Sequence, residues 1–199
     1  MPDITAVIFD MYETLVHNAP LLWVRTFGEI CDEQGLQMTG QELWDRWKPL
    51  ENVFRKERDD PSYPFKSYEQ AWHECFEQVF RPLGKGDAAA AAHRSVVELG
   101  RREAYPETVD VIARLRSANH FRLGVLSNAD NDFLSPVLKF RNLEFDAVVS
   151  SETARAYKPA PHAFRLITEA LDVSAEACLY VGDSQYDDVN GAHSAGMRT

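Results

Sequence analysis

Short runs of consecutive apolar residues alternate with stretches in which apolar residues recur every three or four positions. The runs cover residues 4–9, 123–126, 147–149 and Cys178–Val181, and each ends in small or polar residues. Runs of this kind are typical of strands that are buried on both faces of a parallel sheet. They therefore predict four parallel strands.

Helical spacing separates the last three runs. Apolar residues follow Pro106, a good residue for the first turn of a helix, and a second set follows Pro159 and Pro161. The two sets are Val109, Ile112 and Leu115, then Phe164, Ile167 and Leu171. Alternating strands and helices predict an α/β fold with a Rossmann-like parallel sheet and helices on both faces.

The long segment between the first and second runs has little strand character. Two apolar stripes at helical spacing occupy it: Leu43, Trp47, Leu50 and Phe54, then Tyr68, Trp72, Cys75 and Val79. Thr39 with Glu42, and Ser67 with Gln70, have the spacing of capping boxes before these stripes, and a break around Pro61 separates them. Further helices are predicted over residues 21–31 and from residue 88.

This pattern predicts an α/β core of residues 1–15 and 105–199, with a helical insertion of residues 16–104 after the first strand. The chain would cross between the two parts near residues 16–20 and 104–106. We expect these connections to act as hinges that let the insertion close over the core and exclude water.

Composition excludes several classes of protein. Lys and Arg number 21 against 31 Asp and Glu, a net charge of −10, whereas nucleic-acid binders normally display a basic face. No apolar stretch approaches the roughly 20 residues of a membrane span, and the first residues lack the basic and apolar regions of a signal peptide. Cys31, Cys75 and Cys178 include no closely spaced pair, which argues against a disulfide framework or a zinc site. We expect a cytoplasmic protein, and no pattern specifies an oligomeric state.

Chemically active residues follow the predicted strands. Asp10 follows the first strand, Ser127 and Asn128 the second, Lys158 lies shortly after the third, and Asp183 follows the fourth, with Asp187 and Asp188 close behind. In an open parallel sheet, ligands bind outside the carboxyl ends of the strands. The sequence therefore predicts that these side chains converge at one edge of the sheet.

This ordered set resembles the haloacid dehalogenase (HAD) superfamily, in the branch with a helical cap (C1) between the first motif and the second strand. The resemblance covers nearly the whole chain and identifies residues 16–104 as the cap. It implies that Asp10 is the nucleophile and forms a covalent aspartyl intermediate. Ser127 and Asn128 would hold the transferring group. Lys158 would bind substrate and neutralise charge.

The resemblance also implies a metal site for Mg²⁺, with Asp10, the backbone carbonyl of Tyr12, Asp183 and Asp188 as ligands. Several carboxylates around a single lysine leave excess negative charge, which a hard divalent cation relieves. A structural alternative exists for Asp187 and Asp188. They could simply open the helix that follows, because its dipole favours acidic residues there.

One position departs from the phosphatases of this superfamily. They usually carry a second Asp two residues after the nucleophile as general acid and base, whereas this chain has Tyr12, as the 2-haloacid dehalogenases do. Tyr, with an ordinary pKa near 10, is a poor base at neutral pH. Glu13 and His17 are the nearby substitutes. We also expect Tyr12 to contact substrate.

Three hypotheses follow. The acidic fourth motif favours a Mg²⁺-dependent phosphohydrolase acting on a small phosphorylated metabolite, an anionic substrate. Tyr12 favours a metal-independent hydrolase like the 2-haloacid dehalogenases. The missing second Asp leaves room for a catalytically idle relative that serves as a binding module.

The last residues give a further expectation. Sequences of this type usually continue past a Gly-Met-Arg-Thr-like segment into another strand, which predicts a chain that is shortened relative to a complete domain. The edge of the sheet beside the fourth strand would then be exposed.

Overall fold

A four-stranded parallel sheet lies at the centre of the computed structural model, which describes residues 3–60 and 62–199. The strands are β1 (Ala6–Phe9), β2 (Arg122–Ser127), β3 (Ala147–Ser150) and β4 (Cys178–Val181), in the order β3-β2-β1-β4. All four predicted strands are confirmed. The first begins at Ala6 rather than at residue 4, although the Thr5 backbone still bonds to Ala177, just before β4, and to Arg122, the first residue of β2.

Successive residues of β1 point to opposite faces of the sheet. Val7 and Phe9 join an apolar cluster on one face, whereas Ala6 and Ile8 join a separate cluster on the other. All four are buried, because β1 is flanked by β2 and β4 and is covered on both sides. Burial on both faces of the sheet explains why the apolar run of β1 is uninterrupted in the sequence.

Among the described residues, five α-helices lie between β1 and β2: α1 (Pro20–Gln34), α2 (Gly40–Glu57), α3 (Tyr68–Phe80), α4 (Ala88–Leu99) and α5 (Thr108–Ser117). Both predicted capping boxes are present, at the starts of α2 and α3. The start of α5 differs from expectation, because its N-cap is Glu107 and Pro106 precedes the helix. Pro61, in the predicted break between α2 and α3, lies outside the described residues.

The apolar stripes of α2 and α3 meet in the interior of the insert. Trp47 is 1% exposed and Trp72 is 3% exposed. Both contact the ring of Trp23; Trp47 also contacts Phe76, and Trp72 also contacts Phe133. Their cluster is continuous with the face of the sheet that carries Val7 and Phe9. Burying an aromatic side chain of this size stabilises a fold by about 1.5–3 kcal/mol. The insert is therefore packed against the core as well as within itself.

The two crossings between insert and core run side by side. Val16 pairs with Ala104 in an antiparallel bridge, and the backbone N–H of His17 donates to the carbonyl of Glu103 at 2.8 Å. The Tyr105 N–H donates to the carbonyl of Leu15 at 3.1 Å. The division at residues 16 and 104, and hinge motion about it, stay predictions.

The remaining helices cover the sheet and approach its carboxyl edge. They are α6 (Asn131–Phe140), α7 (Ser151–Ala154), α8 (Pro161–Leu171), a π-helical segment (Gln185–Asn190) and α9 (Gly191–Ser194). Beside β4, Arg198 pairs with Leu179, so the edge expected to be exposed is partly paired. None of the helices within the described ranges combines the length and apolar character that a bilayer crossing requires.

Candidate active site

A cavity of about 320 Å³ opens at the carboxyl edge of the sheet, under the insert. Asp10 lies directly after β1, Ser127 ends β2, and Asp183 follows β4. The cavity is lined by every residue that the sequence placed at the site: Asp10, Tyr12, Ser127, Asn128, Lys158, Asp183 and Asp188. The structure therefore brings the whole predicted set together.

Asp10 is buried, with 6% of its surface exposed. Its backbone N–H donates to the carbonyl of Val181 at 2.9 Å, which continues the pairing of β1 with β4 and fixes the residue at the edge of the sheet. The Oδ1 atom accepts a hydrogen bond from Lys158 Nζ at 2.7 Å. Burial raises the pKa of Asp10, and the contact with Lys158 opposes that increase.

Lys158 has partners for all three of its ammonium protons. Nζ donates to Asp10 Oδ1 at 2.7 Å, to Asp188 Oδ1 at 2.5 Å and to the Tyr180 hydroxyl at 2.9 Å. Burial alone would lower the pKa of Lys158, but Asp10, Tyr180 and Asp188 outweigh it and hold the pKa well above its usual range. In this arrangement the ammonium group of Lys158 is shared among three protein oxygens, and its predicted contact with substrate stays a prediction.

Tyr180 was not predicted from the sequence, where it is one residue in an apolar strand. Its hydroxyl lies 2.9 Å from the carbonyl oxygen of Leu126 and 3.0 Å from Asp188 Oδ1, and its ring is 2% exposed. Asp188 Oδ2 accepts from the backbone N–H of Ser184 at 3.0 Å. A side chain on Gly182 would collide with Asp188, since a Cβ there would lie 2.4 Å from Asp188 Cγ. Asp188 is therefore held tightly against Lys158.

Three carboxylates are close enough to share a cation. Oxygens of Asp10, Asp183 and Asp188 all lie within 4.8 Å of one another. Partial burial, and then the negative charges of Asp10 and Asp188, raise the pKa of Asp183 to about 6. Oxygen donors and excess negative charge fit Mg²⁺. Asp10 and Asp183, the most accessible of the three, are the better placed ligands, because both oxygens of Asp188 already have protein partners.

The Asn128 side chain forms hydrogen bonds with the backbone of Lys158. Its Nδ2 donates to the Lys158 carbonyl at 3.1 Å, and its Oδ1 accepts from the Lys158 N–H at 2.7 Å. Ser127 is 2% exposed and lines the cavity. Asn128 thus positions the loop after β3, in addition to facing the cavity as predicted.

Tyr12 packs its ring edge-on against Phe133, with 5.7 Å between ring centres, and its hydroxyl lies 3.5 Å from the Leu99 carbonyl oxygen. Burial raises the pKa of Tyr12 well above its usual range, so the phenol is protonated at neutral pH. Glu13 accepts from the Asn18 N–H and, at 3.2 Å, from the Tyr105 hydroxyl. The His17 ring packs on Tyr105, with 3.9 Å between centres.

The two suggested substitutes for the missing Asp therefore differ in position. Glu13 lines the cavity, with both of its oxygens already accepting hydrogen bonds, whereas His17 is not among the residues that line it. A role for either side chain as general acid or base stays a prediction.

The insert supplies a wall that the motifs did not reveal. Aromatic and apolar side chains from the insert and α6 line the cavity: Trp23, Tyr68, Trp72, Leu99 and Phe133. Arg55 also lines it and is paired with Glu51, which is 1% exposed and also accepts from Lys48 at 2.6 Å. The spacing of Glu51 and Arg55, four residues apart on α2, was the available signal.

Comparison with known proteins identifies a single family, whose named relatives of this chain have two different activities. The model of the family described as haloacid dehalogenase-like hydrolase matches residues 4–196. Haloacetate dehalogenase H-2 of Moraxella sp. (strain B) is 29% identical over 202 residues, covering 100% of this chain and 85% of the relative. Phosphoglycolate phosphatase of Salmonella typhimurium is 29% identical over 221 residues, covering 98% and 80%. A magnesium-bound HAD hydrolase of Bacillus subtilis has a TM-score of 0.81 at 19% identity, covering 98% of this chain and 87% of that chain.

Proposed function

The chain belongs to the haloacid dehalogenase-like hydrolase family, and from that premise we propose that it is a Mg²⁺-dependent phosphohydrolase acting on a small phosphorylated metabolite. The observation that carries the proposal is the cluster of Asp10, Asp183 and Asp188, whose oxygens lie within 4.8 Å of one another. Lys158 supplies one positive charge against three negative ones. A site with this excess is better suited to a cation and a phosphoryl group than to metal-free chemistry.

The reaction proceeds through Asp10. A carboxylate oxygen of Asp10 forms a bond to phosphorus while the bond from phosphorus to the leaving oxygen breaks, which produces an aspartyl phosphate and the product as an oxyanion that takes its proton from solvent. Water then attacks phosphorus, the bond from phosphorus to the Asp10 oxygen breaks, and a proton of the water returns to solvent, which releases inorganic phosphate and regenerates the Asp10 carboxylate. Asp10 and Asp183 would hold Mg²⁺, which supplies charge screening for the phosphoryl oxygens.

The residues around Asp10 prepare it for this attack. Lys158 holds Oδ1 at 2.7 Å and neutralises it, so the second oxygen is the nucleophile. Asp188 and Tyr180 hold Lys158 in turn. Trp23 and Trp72 line the cavity and present apolar surface beside the reacting groups.

Tyr12 restricts the leaving group. Its hydroxyl is 3.5 Å from the Leu99 carbonyl oxygen and its pKa is raised by burial, so it is a poor proton donor to a departing alkoxide. Glu13 already accepts two hydrogen bonds. We therefore expect hydrolysis of aryl and acyl phosphates, whose leaving groups are stable as anions, to exceed that of alkyl phosphates.

The test compares phosphate release in the presence of Mg²⁺ with chloride release from chloroacetate in EDTA. We expect phosphate release that requires Mg²⁺ and falls by several orders of magnitude in Asp10→Asn. Asp172→Asn is the matched control, since Asp172 is an exposed helix-ending residue with a positive φ that Asn tolerates. Tyr12→Asp should increase release from alkyl phosphates most, because it restores an acid beside the leaving group.

Dehalogenation is the second candidate, and Tyr12 with the apolar wall favours it. A halide leaves without protonation, and Trp72 and Phe133 offer an apolar surface to a haloalkyl group. If neither the parent nor Tyr12→Asp releases phosphate, while the parent releases chloride in EDTA, this activity replaces the phosphohydrolase.

A further inference from the structure

A buried arginine of the insert contacts the acidic segment of the core. Arg58 follows the last residue of α2, its side chain is 4% exposed, and its Nη2 lies 2.8 Å from Asp187 Oδ2. The guanidinium lies over the ring of Tyr157 at 4.9 Å and over that of Tyr68 at 5.9 Å, and Nη1 donates to the Tyr68 hydroxyl. The exposed Asp59 is a weaker partner, 3.7 Å from Nε.

Asp187 connects this arginine to the cavity. It lies in the π-helical segment Gln185–Asn190, lines the cavity, and its side chain is 17% exposed. The oxygen that meets Arg58 also accepts from Asn128 Nδ2 at 3.3 Å. One carboxylate therefore joins the insert to the residue that holds the loop of Lys158.

The charge of Asp187 on the cavity wall needs a compensating cation. Lys158 forms ion pairs with Asp10 and Asp188, so its positive charge does not neutralise Asp187. A half-desolvated carboxylate on the cavity wall repels an anionic substrate unless a cation faces it, because charges interact strongly where water is excluded. Arg58, from the insert, is the cation in direct contact with Asp187. Arg55, which also lines the cavity, adds a second positive charge near the same carboxylate.

We propose that Arg58 is a positioning residue that neutralises Asp187 and thereby sets the affinity of the site for an anionic substrate. The pair makes this affinity depend on contact between insert and core. The inference rests on the proposed function only in requiring that the substrate be an anion.

The experiment uses a double-mutant cycle of Arg58→Met and Asp187→Asn. Isothermal titration calorimetry with inorganic phosphate, and separately with chloroacetate, gives Kd, and the release assays give KM and kcat. We expect Arg58→Met to weaken anion binding roughly tenfold or more, with a larger change in KM than in kcat. Asp187→Asn should bind anions as well as the parent or better. The double variant should recover most of the loss, and Arg58→Lys should recover part of it.

Arg46→Met is the matched control, because it removes an exposed cation from the same helix. It should leave Kd and KM unchanged. A purely structural contact predicts a different pattern, in which both single variants weaken binding and the double variant is no better than Arg58→Met. That pattern, an unchanged Kd in a folded Arg58→Met, or a parent that binds neither anion would overturn the inference.

The two proposals fail separately. The identity of the product released by the parent decides between phosphohydrolase and dehalogenase. The ratio of Kd between Arg58→Met and the parent decides the role of Arg58 for whichever anion binds.

Discussion

Lys158 holds a positive charge at a position where 2% of its surface is exposed, and its neighbours make that possible. Replacing it with Met would leave Asp10 and Asp188 buried without their shared cation. We expect the free energy of unfolding of Lys158→Met to fall by about 3–5 kcal/mol, as when one partner of a buried ion pair is removed. Tyr180→Phe removes a single hydroxyl and should lose about 1 kcal/mol.

Urea denaturation at pH 7 measures the free energy of unfolding of both variants and the parent. Lys139→Met is the control, because Lys139 is exposed on α6 and its loss should change the free energy of unfolding by less than about 0.5 kcal/mol. Equal effects of Lys158→Met and Lys139→Met would contradict the buried network.

Asp183 gives the site a pH dependence whose sign follows from its pKa of about 6, above the ordinary value of 3.8. Between these values the folded protein retains a proton that the unfolded chain releases. Asp183 therefore makes the folded state less stable as pH rises through this interval, and the loss is complete above about pH 6. Asp183→Asn should remove this part of the slope when metal is absent.

Mg²⁺ should act in the opposite direction, since it binds the ionised carboxylate. We expect Mg²⁺ to raise the Tm of the parent more at pH 7.5 than at pH 5, and to raise that of Asp183→Asn much less. Differential scanning fluorimetry at both pH values, with and without EDTA, checks the prediction. Equal Mg²⁺ shifts in parent and variant would remove Asp183 from the ligand set.

At the scale of elements, α3 is fixed to the core through its first turn. The carboxylate of Asp130, just before α6, accepts from the backbone N–H groups of Tyr68 at 2.9 Å and of Glu69 at 2.8 Å. Tyr157 donates its hydroxyl proton to the carbonyl of Lys66 at 2.7 Å. An acidic group from the core thus binds the positive end of a helix of the insert.

Asp130→Ala should lower the free energy of unfolding by about 1–2 kcal/mol and expose the segment before α3 to proteases. Ser67→Ala removes the cap that belongs to α3 itself and is the matched comparison. It should destabilise the helix without the same increase in cleavage between insert and core. Limited proteolysis beside urea denaturation separates the two effects.

At the scale of the whole molecule, the net charge of −10 opposes the approach of an anionic substrate. Salt screens this repulsion, since the Debye length falls from about 30 Å at 0.01 M to about 8 Å at 0.15 M. We therefore expect kcat/KM for an anionic substrate to rise with ionic strength over that range, at constant free Mg²⁺. A fall would show that local cations such as Arg55 dominate the approach.

The sequence by itself determined the order of the elements and the residues at the ends of the strands. Apolar runs can be recognised because a strand covered on both faces, such as β1, must be apolar throughout. The caps at Thr39 and Ser67 are equally readable, because each depends on groups three residues apart. The convergence of Asp10, Asn128, Lys158 and Asp183 followed from the rule that parallel strands end at the same edge.

Only the tertiary structure decided what these residues do to one another. Tyr180 looks like any strand residue until β2 and β4 bring its hydroxyl to Lys158. Arg58 and Asp187 are separated by 129 positions, and no local pattern connects them. Helix and strand periodicities report contacts within a few residues, whereas the energy of a buried charge depends on groups that folding brings from elsewhere in the chain. The positions of the reacting groups were therefore predictable, and the partners that set their charge were not.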